Sequence, residues 1–251
     1  MGNLESTLGL IIVLVTVALI LVFSLKSYRA KHPPVFRAIL AIQRLRRALG
    51  LAVEEGTGIH ISLGKSSLLQ PSSTSAFVGL STLHRLAQMS ATSDQPPVST
   101  SGDGSLAVLS QDVLIAASRE TNTFQMYQSD HAQLSGVTPL SFVAGALNVV
   151  NDPKVKTNIL IGNFGPEGGF LSAASEQNDA FTLAASDSLS AQAVFYATAG
   201  NPLIGEELYA VPGYLQYSPL HQSSLQAQDV LRWGIAMVMI GGAILKVLGV
   251  L

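Results

Sequence analysis

Asn158-Ile-Leu-Ile-Gly-Asn-Phe-Gly-Pro-Glu-Gly-Gly-Phe170 decides the fold. Its first four residues read as a buried strand ending at Gly162. The glycines then make a turn, and Phe170 to Gln177 reads as a short helix. A strand followed by a glycine turn and a helix is half of a βαβ unit. Similar alternation runs outward in both directions. Gly58 to Leu63 reads as a first strand and Ser75 to Met89 as a helix, with Phe77, Leu80, Leu83 and Leu86 three residues apart. Pro97 to Ser101 is a short strand, and Ser105 to Ser118 a helix capped by Ser105. Leu140 to Val150 reads as an apolar strand. Phe181 to Ala185 is a further strand and Ser188 to Thr198 a further helix. This order predicts an α/β domain with a five-stranded, largely parallel sheet, Rossmann-like or flavodoxin-like.

The ends of the chain differ from this middle. Ser6 to Leu25 carries no charge and is dominated by Leu, Ile and Val. As a helix it would cover about 30 Å, the thickness of a bilayer core. Only Glu5 precedes it, while Lys26, Arg29 and Lys31 follow, which is the reverse of a cleaved signal peptide. The second apolar run, Trp233 to Leu251, is interrupted only by Lys246. Two spans are therefore expected, in a chain whose charged residues make up only 12% against about 25% in an average soluble domain. Gly241-Gly242, in the middle of the second run, would let helices approach closely.

Charge sets the orientation. Lys26, Arg29, Lys31, Arg37, Arg44, Arg46 and Arg47 come after the first span with no acid among them. The positive-inside rule places the middle of the chain in the cytoplasm and both termini outside. His32-Pro33-Pro34 breaks the chain, after which Val35 to Leu49 is helical, amphipathic and basic. That helix would lie on anionic headgroups, or pack its apolar face on the domain or a neighbouring protomer. Between 54 and 228 there are five basic and 14 acidic residues. The expected organisation is a transmembrane helix over 1–25, a basic juxtamembrane stem over 26–53, a cytoplasmic α/β domain over 54–228, and a second transmembrane helix over 229–251.

Specific chemistry is sparse. With no cysteine, thiolate metal sites and thiol nucleophiles are excluded. The net charge of −2 argues against nucleic acid as a partner. Gly64-Lys65-Ser66 resembles the end of a phosphate-binding loop, but Ile59 stands where that loop needs its first glycine. The five histidines are isolated, and His60 reads as a half-exposed strand residue. No cofactor or metal is expected. Gly162, Asn163, Gly165, Glu167 and Gly168 would sit at the carboxyl edge of a parallel sheet, where ligands bind. A backbone nest for an anion is conceivable there, although Glu167 would repel one; a tight connecting turn is the plainer reading. Glu206 and Glu207 could form a carboxylate pair, yet adjacent helical residues point about 100° apart, and acids opening a helix explain them as well. Tyr209, Tyr214 and Leu215 would supply a contact surface.

Leu203-Ile-Gly-Glu-Glu-Leu-Tyr-Ala210 and Gln228-Asp-Val-Leu-Arg232, with Gly58 to Gly64 and Ile161 to Gly165, resemble an uncharacterised family of prokaryotic membrane proteins known as a domain of unknown function. The resemblance covers about 54 to 240 and implies no activity and no catalytic residue. The function expected is a membrane-anchored structural scaffold, a closed cyclic homo-oligomer in the lipid bilayer with Glu206, Glu207, Tyr209, Tyr214, Leu215, Gly241 and Gly242 at its contacts. The alternatives are a ligand-binding sensor or accessory subunit of a membrane complex, using the Gly162 edge for a small molecule, and a membrane-bound hydrolase using Glu206 and Glu207 or Asp112.

Overall fold

A computed structural model of the chain describes residues 2–25, 37–66, 68, 73–215 and 219–247. It divides into two compact units. One is Ala38–Gln216; the other joins Met1–Arg37 to Tyr217–Leu251.

The first unit is an α/β sandwich around one six-stranded sheet. Its elements in chain order, with α1 reserved for the helix Gly2–Ser24 of the other unit, are α2 (Leu40–Glu55), β1 (Gly58–Gly64), α3 (Ser73–Met89), β2 (Val98–Ser101), α4 (Gly104–Glu120), β3 (Ala132–Leu134), α5 (Pro139–Val150), β4 (Val155–Asn163), α6 (Gly168–Gln177), β5 (Phe181–Ser186), α7 (Leu189–Thr198), β6 (Asn201–Leu203) and α8 (Glu207–Leu215). The strands lie in the order β3-β2-β1-β4-β5-β6, every neighbouring pair parallel. The chain builds outward from β1 to β3, then returns to start again at β4 beside β1.

Alternation within the strands divides the core in two. Ile59, Ile61 and Leu63 of β1, with Ile159, Ile161 and Leu183, face α2, α3, α4 and α8. Leu160 and Ala184 face α5, α6 and α7, where Phe142, Phe164, Leu171 and Phe195 fill the space. The open choice for the basic amphipathic helix is settled by α2, whose apolar stripe Ile42, Leu45, Leu49 and Ala52 is buried in this core.

Three expectations are corrected. Leu140 to Val150 is not a strand but most of α5. Thr138 caps it, its hydroxyl accepting from the Ser141 N–H at 3.3 Å, and Pro139 occupies the first turn. Phe142, Val143, Ala146 and Val150 are buried at helical spacing; a short continuous apolar run fits either element until its ends are read. The edge strands β3 and β6 replace it in the sheet, giving six strands instead of five. The cap of α4 is Asp103, not Ser105: its carboxylate accepts from the N–H of Ser105 at 3.0 Å and of Leu106 at 3.2 Å.

In the other unit α1 packs against α9 (Pro219–Val247). Leu220–Val247 is long and apolar enough to cross a membrane, with none of its most apolar window buried. The described apolar part of α1, Gly9–Ser24, is shorter than that requirement. Among the described residues one helix, rather than the two expected, therefore meets the length a bilayer core demands. Leu10, Ile12, Leu14 and Leu21 of α1, and Trp233, Ile235, Val238 and Ile240 of α9, nonetheless point outward.

Candidate functional site

The carboxyl ends of β1 and β4 are locked together by two glycines. Gly64 has φ +68° and Gly162 φ +155°, conformations that side chains disfavour. A Cβ at Gly64 would strike the Asn163 carbonyl, and one at Gly162 the Leu63 carbonyl. The closeness has a purpose in hydrogen bonding. The Lys65 N–H donates to the Asn163 carbonyl at 2.7 Å, and the Gly102 N–H to the Gly64 carbonyl at 2.8 Å. The turns after β1, β2 and β4 thus form one tied edge. Ser66, buried and 3.0 Å from the Ser75 hydroxyl, accepts from the Asn163 N–H at 3.1 Å.

An open cleft of about 610 Å³ lies on this edge, lined among others by Lys65, Asp103, Val137, Asn163, Glu167 and Ser188. Asp103 is occupied in capping α4. Asn163 donates its amide to Asp187 at 2.7 Å. The Glu167 carboxylate folds back over Gly165, where a Cβ would collide with it. Among the described residues neither the Lys65 ammonium nor the Glu167 carboxylate has a hydrogen-bonding or ion-pair partner.

Of the glycine-turn residues singled out in the sequence, Asn163, Gly165 and Glu167 line this cleft. Gly162 belongs to the strand junction. Gly168 begins α6 beneath the Phe195 ring, which would be 3.0 Å from an added Cβ. Glu206 is exposed and Glu207 half-buried at the start of α8. Tyr209 packs half-buried against the core; burial raises its phenol above the usual 10, and the charge of Asp187 adds to this. Leu215 is buried, so its side chain is used within the unit rather than offered to a partner. The Tyr214 carbonyl accepts from Arg46, and the Leu215 carbonyl from Arg85 at 3.2 Å. Arg44 donates to Asn201 at 3.2 Å, while Arg37 and Arg47 are exposed. Lys26, Arg29 and Lys31 lie outside the described residues. At Gly241 and Gly242 no described atom comes within 4 Å of an added Cβ. Asp112 is exposed on α4. No group of three or more His, Asp or Glu that could hold a metal occurs among the described residues.

His60 is not half-exposed, as its alternation suggested, but fully buried. Its Nδ1 meets Asn158 Oδ1 at 2.9 Å and its Nε2 meets Thr100 Oγ1 at 2.8 Å. Thr100 continues to Ser62 at 3.0 Å, Asn158 to Ser175 at 2.9 Å, and Ser175 accepts from Thr182 at 2.7 Å. Four strands and α6 are stitched by this line of polar side chains. Burial pushes the imidazole down to about 4, with the Asn158 hydrogen bond opposing. The sequence signal was present in the row His60, Asn158 and Thr182 across neighbouring strands, but a strand's partners cannot be read from the strand alone.

A family model described as a domain of unknown function (DUF6754) matches residues 2–251. The kinship extends beyond the 54–240 stretch to both terminal helices. No curated protein and no solved structure matches the chain.

Proposed function

The chain belongs to the DUF6754 family, and we propose that it is a membrane-anchored ligand-binding module, a sensor or accessory subunit whose α/β domain takes a small molecule at its carboxyl edge. The observation that carries this is the 610 Å³ cleft standing where the strand order reverses, between β1 and β4. In open parallel sheets that crevice is the ligand site. The order 3-2-1-4-5-6 is also that of the Rossmann sheet, which favours the Rossmann-like over the flavodoxin-like expectation.

A dinucleotide does not fit these residues. The turn after β1 holds one glycine, Gly64, where a pyrophosphate needs a glycine-rich approach. The first turn of α6, the second place for an anion, carries Glu167 folded over it. One lysine faces Asp103, Glu167 and the nearby Asp187. We therefore assign no dinucleotide chemistry to the cleft.

Anchoring is read from α9 and, with it, α1, whose outward apolar side chains suit lipid. The basic cluster Lys26, Arg29, Lys31, Arg37, Arg44, Arg46 and Arg47 supports a cytoplasmic domain with both termini outside. The test is native mass spectrometry of the full chain released from mild detergent. A co-purified small molecule is expected, and Val137→Trp, which fills the cleft from an exposed position, removes it. Absence of any adduct, with no stabilisation by a panel of amino acids, nucleotides and organic acids, would sink this reading.

A second reading, the cyclic homo-oligomer, is favoured by one observation. Leu140, Phe170 and Leu189, at the first turns of α5, α6 and α7, are 70%, 61% and 82% exposed, and Tyr196 on α7 is 74% exposed. Large apolar groups grouped this way suit a protein contact. The copy number in the same mass spectra decides it: a monomer ends this reading and leaves the first intact.

A further inference from the structure

Lys65 and Glu167 share one cleft, and neither is neutralised by the protein. Their backbones are fixed by the tied edge: Lys65 through its N–H to Asn163 at 2.7 Å, Glu167 as the residue that opens α6. The Lys65 stem runs directly over Gly102, where a Cβ would collide with it. The two charges do not approach within ion-pair distance of each other. The other polar groups of the cleft are committed, Asp103 to the N–H groups of α4, Asn163 to Asp187, and Ser188 to Ser190 at 2.9 Å. What remains for a ligand is one positive and one negative group. Beside them is apolar surface, Val137 and Pro139 in the wall.

On this basis, and resting on the ligand-binding reading above, we propose that the cleft binds a small amphipathic zwitterion: an acid group held by Lys65, an ammonium held by Glu167, and an apolar group against Val137 and Pro139. A free amino acid with an apolar side chain and an aminophospholipid headgroup share this chemistry. A single-charged ligand would pair with only one of the two side chains and forgo the second charge-assisted contact. Charge-assisted hydrogen bonds at both ends supply the selectivity.

The experiment is calorimetric titration of the full chain in detergent with L-leucine and with dihexanoylphosphatidylethanolamine. The analogues lacking one charge are 3-methylbutylamine and 4-methylpentanoate, and ADP stands for the nucleotides. At least one zwitterion is expected to bind about tenfold or more tightly than either single-charged analogue. Lys65→Met should abolish the advantage over the amine, and Glu167→Gln the advantage over the acid. Both variants should keep the wild-type melting temperature, since neither side chain supports the fold; Lys65→Gln and Glu167→Met repeat the test. Leucine binding identifies the free amino acid as source, and phospholipid binding alone identifies the headgroup; either upholds the proposal. Zwitterions binding no better than the analogues, or variants that bind them unchanged, would overturn it. In that case binding of ADP or an analogue, removed by Val137→Trp, would preserve the cleft as a ligand site. No binding by any probe would remove both readings.

Discussion

His60 and Asn158 face each other at the same register of β1 and β4, their side chains 2.9 Å apart in the sealed interior of the sandwich. Asn158 gives its amide N–H to Ser175, so its oxygen is the acceptor and His60 Nδ1 carries the proton. Nε2 lies 2.8 Å from the Thr100 hydroxyl oxygen, whose own proton is directed to Ser62. The sheet is built around an uncharged imidazole, and that has a measurable consequence.

Stability should fall as pH drops from about 6.5 to about 4. The folded His60 titrates near 4 and the unfolded one near 6.5, so in that window the unfolded chain binds the extra proton. The loss amounts to roughly 3 kcal/mol by the bottom of the window and does not deepen through this residue below it. Denaturant unfolding of wild type and His60→Gln at several pH values checks this. The difference between the two should slope between 4 and 6.5 and be flat above 7. His131, also lowered by burial, contributes the same sign to both proteins and cancels.

Gly64→Ala and Gly162→Ala should each destabilise the domain by about 1–3 kcal/mol or more, because a methyl group meets backbone that is itself tied. Gly241→Ala should leave the thermal midpoint of the isolated chain unchanged or slightly raised, since the space around it is open. Thermal unfolding in detergent separates the two classes. Equal effects at all three positions would contradict the tied edge.

Asp103→Ala removes the acceptor for two N–H groups of α4 and should cost about 1 kcal/mol, with Asp103→Asn recovering most of it. Ser105→Ala should cost less: it loses the hydroxyl's bond to the Asp103 carboxylate but keeps the N–H that completes the cap. Chemical denaturation midpoints are the readout.

Topology can be tested against a clean background because the chain has no cysteine. A cysteine at the exposed Asp130 should resist a membrane-impermeant thiol reagent in intact cells and react after lysis. Labelling before lysis would place the α/β unit outside and reverse the charge-based orientation.

What could be read from the sequence tracks the strength of each local signal. β1, α3, β4, α6 and α7 combine a clean period with a turn or cap beside it, and their types were legible. Leu140 to Val150 lacked a period, and only Thr138-Pro139, just ahead of it, distinguishes a helix. β3 and β6 are three residues each; edge strands this short are defined by the neighbour they bond to. In the same way Asn163, Gly165 and Glu167 were visible as a turn worth watching. Lys65, Asp103 and Val137 come to the cleft from turns up to about a hundred residues away in the chain, and only the parallel sheet order gathers them. Arg44 and Arg46 read as membrane contacts from composition, yet their guanidinium groups bond within the α/β unit.

Ala38 and Ile39, where the chain enters the α/β unit, line one hollow with Tyr214, where it is about to leave. Arg46 and Arg85 fasten that exit by its last carbonyls. Entry and exit side by side make the unit an insertion, a sandwich threaded into the chain between two helices that otherwise form a hairpin. The same adjacency permits a test of modularity: residues 38–215 alone, closed into a circle by a short linker from Leu215 back to Ala38, should fold with the sheet intact.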